Sequence, residues 1–496
     1  MCEDPTNDQN REAQRDELAG LREQLGAMNR RVTELESHKR CLNTQLEELR
    51  GERQKLESRV SEYQALLNRN PATGLPIRRV FEAELSQALQ DVSSRRRGPL
   101  LAVGLLRLDA DYARIKNSRD RSRILLFKTA DRIREIIGDN IYQSDRLDEF
   151  LLLFRTMPNV DGVELRADQI VEAVSRFHEP PADDVRFGSH LGVAIHPRDG
   201  TTREELLGNA DIALAESERS RSRFVIYSGD MGDRYREREQ IEIELGVAIQ
   251  AGFEGFSLNY QPLVDRLGVI RGCEALMRWN HAQLGSIPPG RFIPVAEDIG
   301  AVRFLGQWSL YRACRQLKQW HQSGYPDLHV SVNLSPSQFK QVDLIERVGG
   351  ILESVRLEAR CLTLELTETT VMEEPEEAVA KMNELRSMGV RLALDDFGTG
   401  YSSLSYLRRF QFDTLKIDRS FVTSVHQSRN DQEIVRALIA MARAFGMKTL
   451  AEGVEEREAL DFLLESGCDY VQGYHFSPAV PEDRFAALLS TGFPVT

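Results

Sequence analysis

Eight side chains that could act together on a phosphate ester are spread over the C-terminal half: Glu274, Asn333, Glu365, Asp395, Asp396, Lys416, Glu452 and Gln472. Most stand at or near the end of a short β-prone run, where strand alternation says which way each one points. In SVNLS, Ser331, Asn333 and Ser335 oppose Val330, Val332 and Leu334. In LTLELTE, Thr363, Glu365 and Thr367 oppose Leu362, Leu364 and Leu366. RLALDD sets Ala393 and Asp395 against Leu392 and Leu394, and TLKID sets Thr414, Lys416 and Asp418 against Leu415 and Ile417. Clustered carboxylates repel one another unless a cation sits among them, and oxygen ligands with one amide favour magnesium or manganese over zinc. The neighbours Asp395 and Asp396 suit a bridged pair of ions, an arrangement used for in-line attack on phosphodiesters. A lysine in such a cluster can orient the attacking water or deprotonate it. Any one of these residues could be an ordinary polar strand end; eight in coordinated positions point to a site.

Such positions need a scaffold that gathers strand ends. Candidate strands at 256–263, 270–278, 329–335, 362–368, 391–396, 414–418, 448–453 and 470–476 alternate with helical stretches. Eight strands in about 240 residues match a (β/α)8, TIM-like barrel, whose active sites sit at the C-terminal mouth. An open doubly wound sheet is the alternative, but no glycine-rich phosphate loop follows the first strand. Ahead of the barrel lies a second α/β domain, with a buried strand at 100–109 and a hairpin at 141–155 whose tip falls near Arg146-Leu147. The N-terminal segment carries apolar residues in steps of three and four from Leu18 to Leu67, the a/d seam of a coiled coil, interrupted at a positions by Lys39 and Arg53. Asn70-Pro71 ends that helix. The expected layout is a flexible N-terminus at 1–14, a coiled coil at 15–69, the middle domain at 70–229, a solvated connecting helix at 230–251 and the barrel at 252–496.

Composition narrows the class. Hydrophobic residues make up 41% and charged residues 28%, and the formal charge is -13. That describes a globular chain and argues against a nucleic-acid partner, which needs a basic face. The 6 cysteines form no CxxC pair, so neither a zinc site nor a disulfide framework is suggested. The acidic N-terminus is no signal peptide, and no apolar run reaches the roughly 20 residues of a membrane span. The expectation is a cytoplasmic protein with reduced thiols and no membrane span.

Over about 240 residues the last domain resembles the EAL family of cyclic di-GMP phosphodiesterases. The resemblance rests on Glu274-Ala275-Leu276 followed by Arg278-Trp279, and on YQPLVD, FIPVAEDIG, SVNLSPSQF, LELTET, DDFGTGYSSLSYL, LKIDRSFV, TLAEGVE and GCDYVQGYHFS. It implies hydrolysis of cyclic di-GMP to linear pGpG with two magnesium or manganese ions. Glu274, Asn333, Glu365 and Asp395 would hold one ion; Asp395, Asp396 and, through water, Glu452 would serve the other. Glu274, Lys416 and Glu452 are the catalytic candidates, with Lys416 on the water. Gln261, Leu276, Arg278, Asn333, Asp418 and Gln472 would face the ligand, with Arg278 on a phosphate. Glu368 would anchor the loop 396–403, which in the family links the site to a dimer interface. Together with the coil, this implies a homodimer.

The middle domain resembles the GGDEF family of diguanylate cyclases, a ferredoxin- or cyclase-like α/β fold, in degraded form. NPATGLPIRRVF looks like its opening segment and Asp109 like a metal-binding aspartate. The signature has become Arg146-Leu147-Asp148-Glu149-Phe150, so side chains stand where two glycines would admit a nucleotide. Leu126 replaces an aspartate that reads guanine, and Ile137 and Asn140 occupy the ends of the family's inhibitory RxxD site. Loss of cyclase activity follows, while the surviving Asp109, Asp148 and Glu149 leave GTP binding open as a regulatory role. The rivals to an enzyme are a non-hydrolysing cyclic di-GMP receptor and a signalling scaffold; the intact acidic set argues against the first, and against the second as sole function, although scaffold and enzyme roles can coexist.

Overall fold

The computed structural model describes residues 6–93, 99–109, 119–175, 188–397 and 409–493. Two units emerge, dividing between Tyr235 and Arg236. The first opens with one helix, Thr6–Leu67, so helix begins ahead of the expected coil boundary at 15. Glu, Gln, Arg and Ala dominate its first turns, and these strong helix formers need no apolar seam to extend it. From Leu21 to Leu67 the described seam positions with apolar side chains are 47–74% exposed.

The rest of the first unit is a five-stranded sheet, ordered β2-β3-β1-β4-β5. Its strands are β1 (Leu100–Leu108), β2 (Ile141–Gln143), β3 (Glu149–Met157), β4 (Ser189–His196) and β5 (Phe224–Ile226). All pairs are antiparallel except β4 with β5. Alternation sends Ala102, Leu106 and Leu108 to one face, under helices Arg119–Ile137 and Val160–Ser175. Leu101, Val103 and Leu105 go to the other, under Arg78–Ser93 and Arg203–Ser220. Helix Arg203–Ser220 starts at a capping box between Thr202 and Glu205. It lies so close to β4 that a Cβ on Gly192 would come within 2.2 Å of the Ala210 carbonyl oxygen.

The second unit is an eight-stranded closed barrel with one added strand. Its strands are β6 (Phe256–Asp265), β7 (Ile270–His281), β8 (Gly285–Ile287), β9 (His329–Asn333), β10 (Leu362–Thr367), β11 (Arg391–Phe397), β12 (Thr414–Ile417), β13 (Lys448–Ala451) and β14 (Tyr470–Val471). The sheet runs β6-β14-β13-β12-β11-β10-β9-β7-β8, and pairing of β6 with β7 closes it. β6 is antiparallel to both neighbours, so the barrel is not all-parallel. A two-stranded hairpin opens it because Asp265 turns the chain directly, accepting the N–H groups of Leu267 and Val269. The edge strand β8 is a further difference from the expected set, and β14 ends at Val471 rather than 476.

The expected connector is the helix Gly229–Gln250, but from Arg236 on it belongs to the barrel unit. Ile241, Leu245 and Ala248, one helical face, are buried there. Its charge-rich start hid this spacing. Among the described residues, no helix is long and apolar enough to cross a membrane.

Candidate active site

Barrel alternation puts Val330, Val332, Leu362, Leu364, Leu366, Leu392, Leu394, Leu415 and Ile417 into the main core beneath the helices. Their strand neighbours Ser331, Thr363, Glu365 and Lys416 are buried polar residues inside the barrel. Glu274 on β7 is buried and held from two sides: Asn333 Nδ2 and Gln472 Nε2 each donate to one of its oxygens at 2.7 Å. Gln472 also donates to Gln261 Oε1 at 3.0 Å, and Gln261 donates to the Ser477 carbonyl at 3.2 Å. The strands β6, β7 and β9 and the residue after β14 are thereby joined by one hydrogen-bonded row.

Lys416 is the second centre. Its Nζ donates to Glu365 Oε2 at 2.5 Å and to Asp395 Oδ2 at 2.9 Å. Glu452 Oε1 lies 2.6 Å away, an ion pair by distance but off the hydrogen-bonding direction. The lysine side chain is 1% exposed. Burial alone would lower its pKa, but Glu274, Glu365, Glu452 and Asp395 raise it well above the usual value, so it is a firm ammonium. That favours orienting a water over deprotonating one. Burial, only partly opposed by Lys416, pushes the Glu365 carboxyl well up, and neighbouring carboxylates add to it. The same causes carry Glu452 to about 7.

Four carboxyl groups thus share one ammonium, and Glu365 Oε1 and Gln472 Oε1 are buried acceptors without a hydrogen-bond partner. Among the described residues no three His, Cys, Asp or Glu side chains are arranged to hold a metal ion; three of the carboxylates gather around Lys416 Nζ instead. The donor set itself fits a hard divalent cation: all oxygen, in excess negative charge, with orphaned acceptors aimed inward.

The other expected site residues fall as follows. Asp395 is on β11, whose register against β12 shifts between Leu394 and Phe397. Leu394 and Phe397, three apart, both face the main core, so strict alternation fails there. The Asp396 side chain lies outside the described residues, as does most of the loop 396–403. Glu368 is buried at the first turn of helix Glu368–Met372. Asp418 caps helix Arg419–Val422, its side chain accepting from the Ser420 N–H at 2.9 Å. Burial would raise its pKa, but these hydrogen bonds bring it below the usual range. Leu276 and Arg278 share the face of Glu274 further along β7. Arg278 donates to the Met277 carbonyl, and burial lowers its pKa. It lines a polar cavity of about 620 Å³ with Ser257, Asn259, Asn280, Arg312 and Glu482.

In the first unit, the hairpin tip falls at Arg146-Leu147 between β2 and β3. Leu126 is part of the apolar core. Glu149 is buried and already paired: Arg107 Nη2 donates to it at 2.8 Å and Ser144 Oγ at 2.6 Å. Arg107 also donates to Glu218 at 2.9 Å, and Arg146 grips Asp148 with two 3.2 Å bonds. Arg107 was not singled out from sequence; its place two residues before Asp109 on β1 was the available signal.

Residues 244–479 match the EAL domain family, and residues 68–223 match the family described as diguanylate cyclase, GGDEF domain. The chain is 34% identical over 426 residues to the bifunctional diguanylate cyclase/cyclic di-GMP phosphodiesterase MucR of Pseudomonas aeruginosa, covering 84% of this chain and 60% of that protein. It is 37% identical over 417 residues to the cyclic di-GMP phosphodiesterase NbdA of the same organism, covering 82% and 52%. The chain therefore spans roughly half to three-fifths of the length of these relatives. The solved structure of the EAL enzyme Bd1971 in its cAMP and cyclic-di-GMP bound form is similar at a TM-score of 0.50 and 28% identity, covering 69% of this chain and 82% of that one.

Proposed function

The chain belongs to the EAL family and carries a GGDEF domain ahead of its EAL domain, and on that premise we propose that it hydrolyses cyclic di-GMP to linear pGpG in a divalent-metal-dependent reaction. The observation that carries this reading is the buried mouth cluster, in which Lys416 stands among Glu365, Asp395 and Glu452 with negative charge left over. Glu274, Asn333, Glu365 and Asp395 would hold one magnesium or manganese ion, and Asp395, Asp396 and Glu452 a second. Bound there, the ions supply Lewis-acid polarisation of a phosphoryl oxygen and a more acidic water.

The remaining work falls to the chain. Hydrolysis needs a water oxygen to attack phosphorus, the P–O3′ bond to break and a proton to pass from the water to the leaving alkoxide. Lys416, kept cationic, places the water by hydrogen bonding, and Glu452 beside it takes the water's proton and passes it on to the leaving O3′. Arg278 offers its guanidinium to a phosphate. Leu276, Asp418 and Gln261 border the ligand, and Gln472 holds Glu274 in place while bordering it too. Glu368, buried at the first turn of its helix, is the proposed anchor of the loop 396–403, most of which lies outside the described residues.

The GGDEF domain, on this reading, makes no cyclic di-GMP: Glu149 and Asp148 are engaged by Arg107 and Arg146. Any regulatory GTP that used these acids would have to displace those pairs. The exposed seam from Leu21 to Leu67 supports a parallel homodimer, to which the EAL domain would add a second interface. A cytoplasmic location suits a nucleotide messenger as ligand. The test is hydrolysis by the full chain in manganese, with Glu274→Ala and Asp395→Asn beside it. Both variants are expected to lose turnover; an Asp395→Asn variant at parental rate would overturn the metal assignment.

A further inference from the structure

Two separate cores hold the two ends of β7. Glu274 sits among the barrel strands, pinned by Asn333 and Gln472. Four residues on, Arg278 is followed by Trp279, which turns away from the barrel into a satellite core. There Trp279 stacks on Phe256, centroids 5.0 Å apart, and meets Phe292 edge-on at 5.7 Å. The opposite wall is Ile241, Leu245 and Ala248 of the helix Gly229–Gln250. His281 adds a polar tie. Its Nδ1 accepts from the Leu284 N–H at 3.2 Å, which leaves the proton on Nε2, 3.2 Å from Glu244 Oε2 of the same helix. Ion pairs Glu237–Arg291 and Arg238–Asp298 fasten the helix further. Met277 touches both cores, and β6 pairs along the segment that carries Arg278, but the apolar packing behind it beyond Met277 is the satellite core.

We infer that the helix Gly229–Gln250 is the positioning element for Arg278, acting through Trp279 and His281, and so sets affinity for the cyclic dinucleotide independently of the carboxylate cluster. This rests on the reading of Arg278 as a phosphate contact. A guanidinium recognises phosphate through fixed, paired donors, so a displaced strand end weakens binding before it disturbs the reacting atoms. The mouth cluster, tied across β7, β9, β10, β11 and β12, is built without the helix. A change in the packing of the helix is therefore expected in KM rather than in kcat.

The test compares the full chain with Leu245→Ala, which opens a cavity beside Trp279, and Glu244→Gln, which weakens the His281 tie without one. Ile243→Ala, an exposed position on the same helix, is the control. Calorimetric affinity for cyclic di-GMP and the KM and kcat of hydrolysis are measured for each. Leu245→Ala is expected to bind about tenfold more weakly, the scale of one lost charge-assisted hydrogen bond. Glu244→Gln should move the same way by a smaller factor, with kcat within about twofold of parental. Both effects should vanish in an Arg278→Ala background, and Ile243→Ala should change nothing. Parental affinity in both helix variants, a fall confined to kcat, or losses that add to that of Arg278→Ala would overturn the inference. If Leu245→Ala does not fold, Glu244→Gln alone decides. A parental chain that binds no cyclic di-GMP overturns the functional reading itself; a parental chain that binds, with variants that match it, overturns this inference only.

Discussion

Replacing Lys416 by methionine removes the cation that lies 2.5 Å from Glu365, 2.9 Å from Asp395 and 2.6 Å from Glu452. Deleting one partner of a buried ion pair costs about 3–5 kcal/mol. Here three carboxylates are left facing one another, but Glu365, whose carboxyl is already pushed up, relieves part of the cost by taking a proton. A net loss of about 3–4 kcal/mol follows for chelator-treated protein. At about 2–4 °C per kcal/mol for a unit of this size, the barrel transition should fall by roughly 10 °C in differential scanning calorimetry. Manganese restores positive charge among the carboxylates, so the deficit should shrink to less than half in its presence. Turnover should fall by about 10²–10⁴-fold, the range for losing a proton-transfer or water-placing group, while metal-dependent binding of cyclic di-GMP persists. A Lys416→Met variant that melts with the parent in chelator, or hydrolyses at the parental rate, refutes the reasoning.

A peptide spanning residues 15–68 should sediment as a dimer at tens of micromolar, and Lys39→Leu or Arg53→Leu should tighten it by removing charge from the seam; a monomer contradicts the coil. The full chain should release no cyclic di-GMP from GTP with any divalent metal, since Arg107 engages Glu149 and Arg146 engages Asp148; metal-dependent product would show that the domain retains cyclase activity. His329 gives the pH dependence: burial, with Arg391 nearby, lowers its pKa from 6.5 to about 4. The unfolded chain therefore binds this proton first, and stability is lost as pH falls from 6.5 to about 4, by at most about 3 kcal/mol. His329→Gln should flatten that part of the denaturation profile relative to the parent; parallel profiles would show that the imidazole is not held neutral.

Much of the barrel could be read from alternation alone. Leu362, Leu364 and Leu366 against Thr363 and Glu365 give both the strand and the side that carries chemistry, because the period of two is set by backbone geometry. Strand direction has no such signature. The reversal of β6 depends on the tight turn at Asp265, and YQPLVD reads the same whichever way the strand runs. The break in parity after Leu394 was equally hidden, since a bulge adds a residue without changing composition. Lysine 416 among acids suggested a site, but its contact with three carboxylates at once needed the closed barrel. The helix Gly229–Gln250 was misread as solvated because its charged first turns outweigh Ile241, Leu245 and Ala248. Glu149 looked available for metal because its partner Arg107 lies 42 residues away in sequence. Ion pairs across strands leave no local pattern.

The most direct test of the central claim is product identification. Purified full chain is incubated with cyclic di-GMP and manganese or magnesium, and the products are separated and weighed by mass spectrometry, with a chelator-treated sample alongside. Linear pGpG, heavier than the substrate by one water and absent with chelator, is the expected result. Cyclic di-GMP recovered unchanged with both metals, from protein that binds it, would contradict hydrolysis and make the chain a receptor.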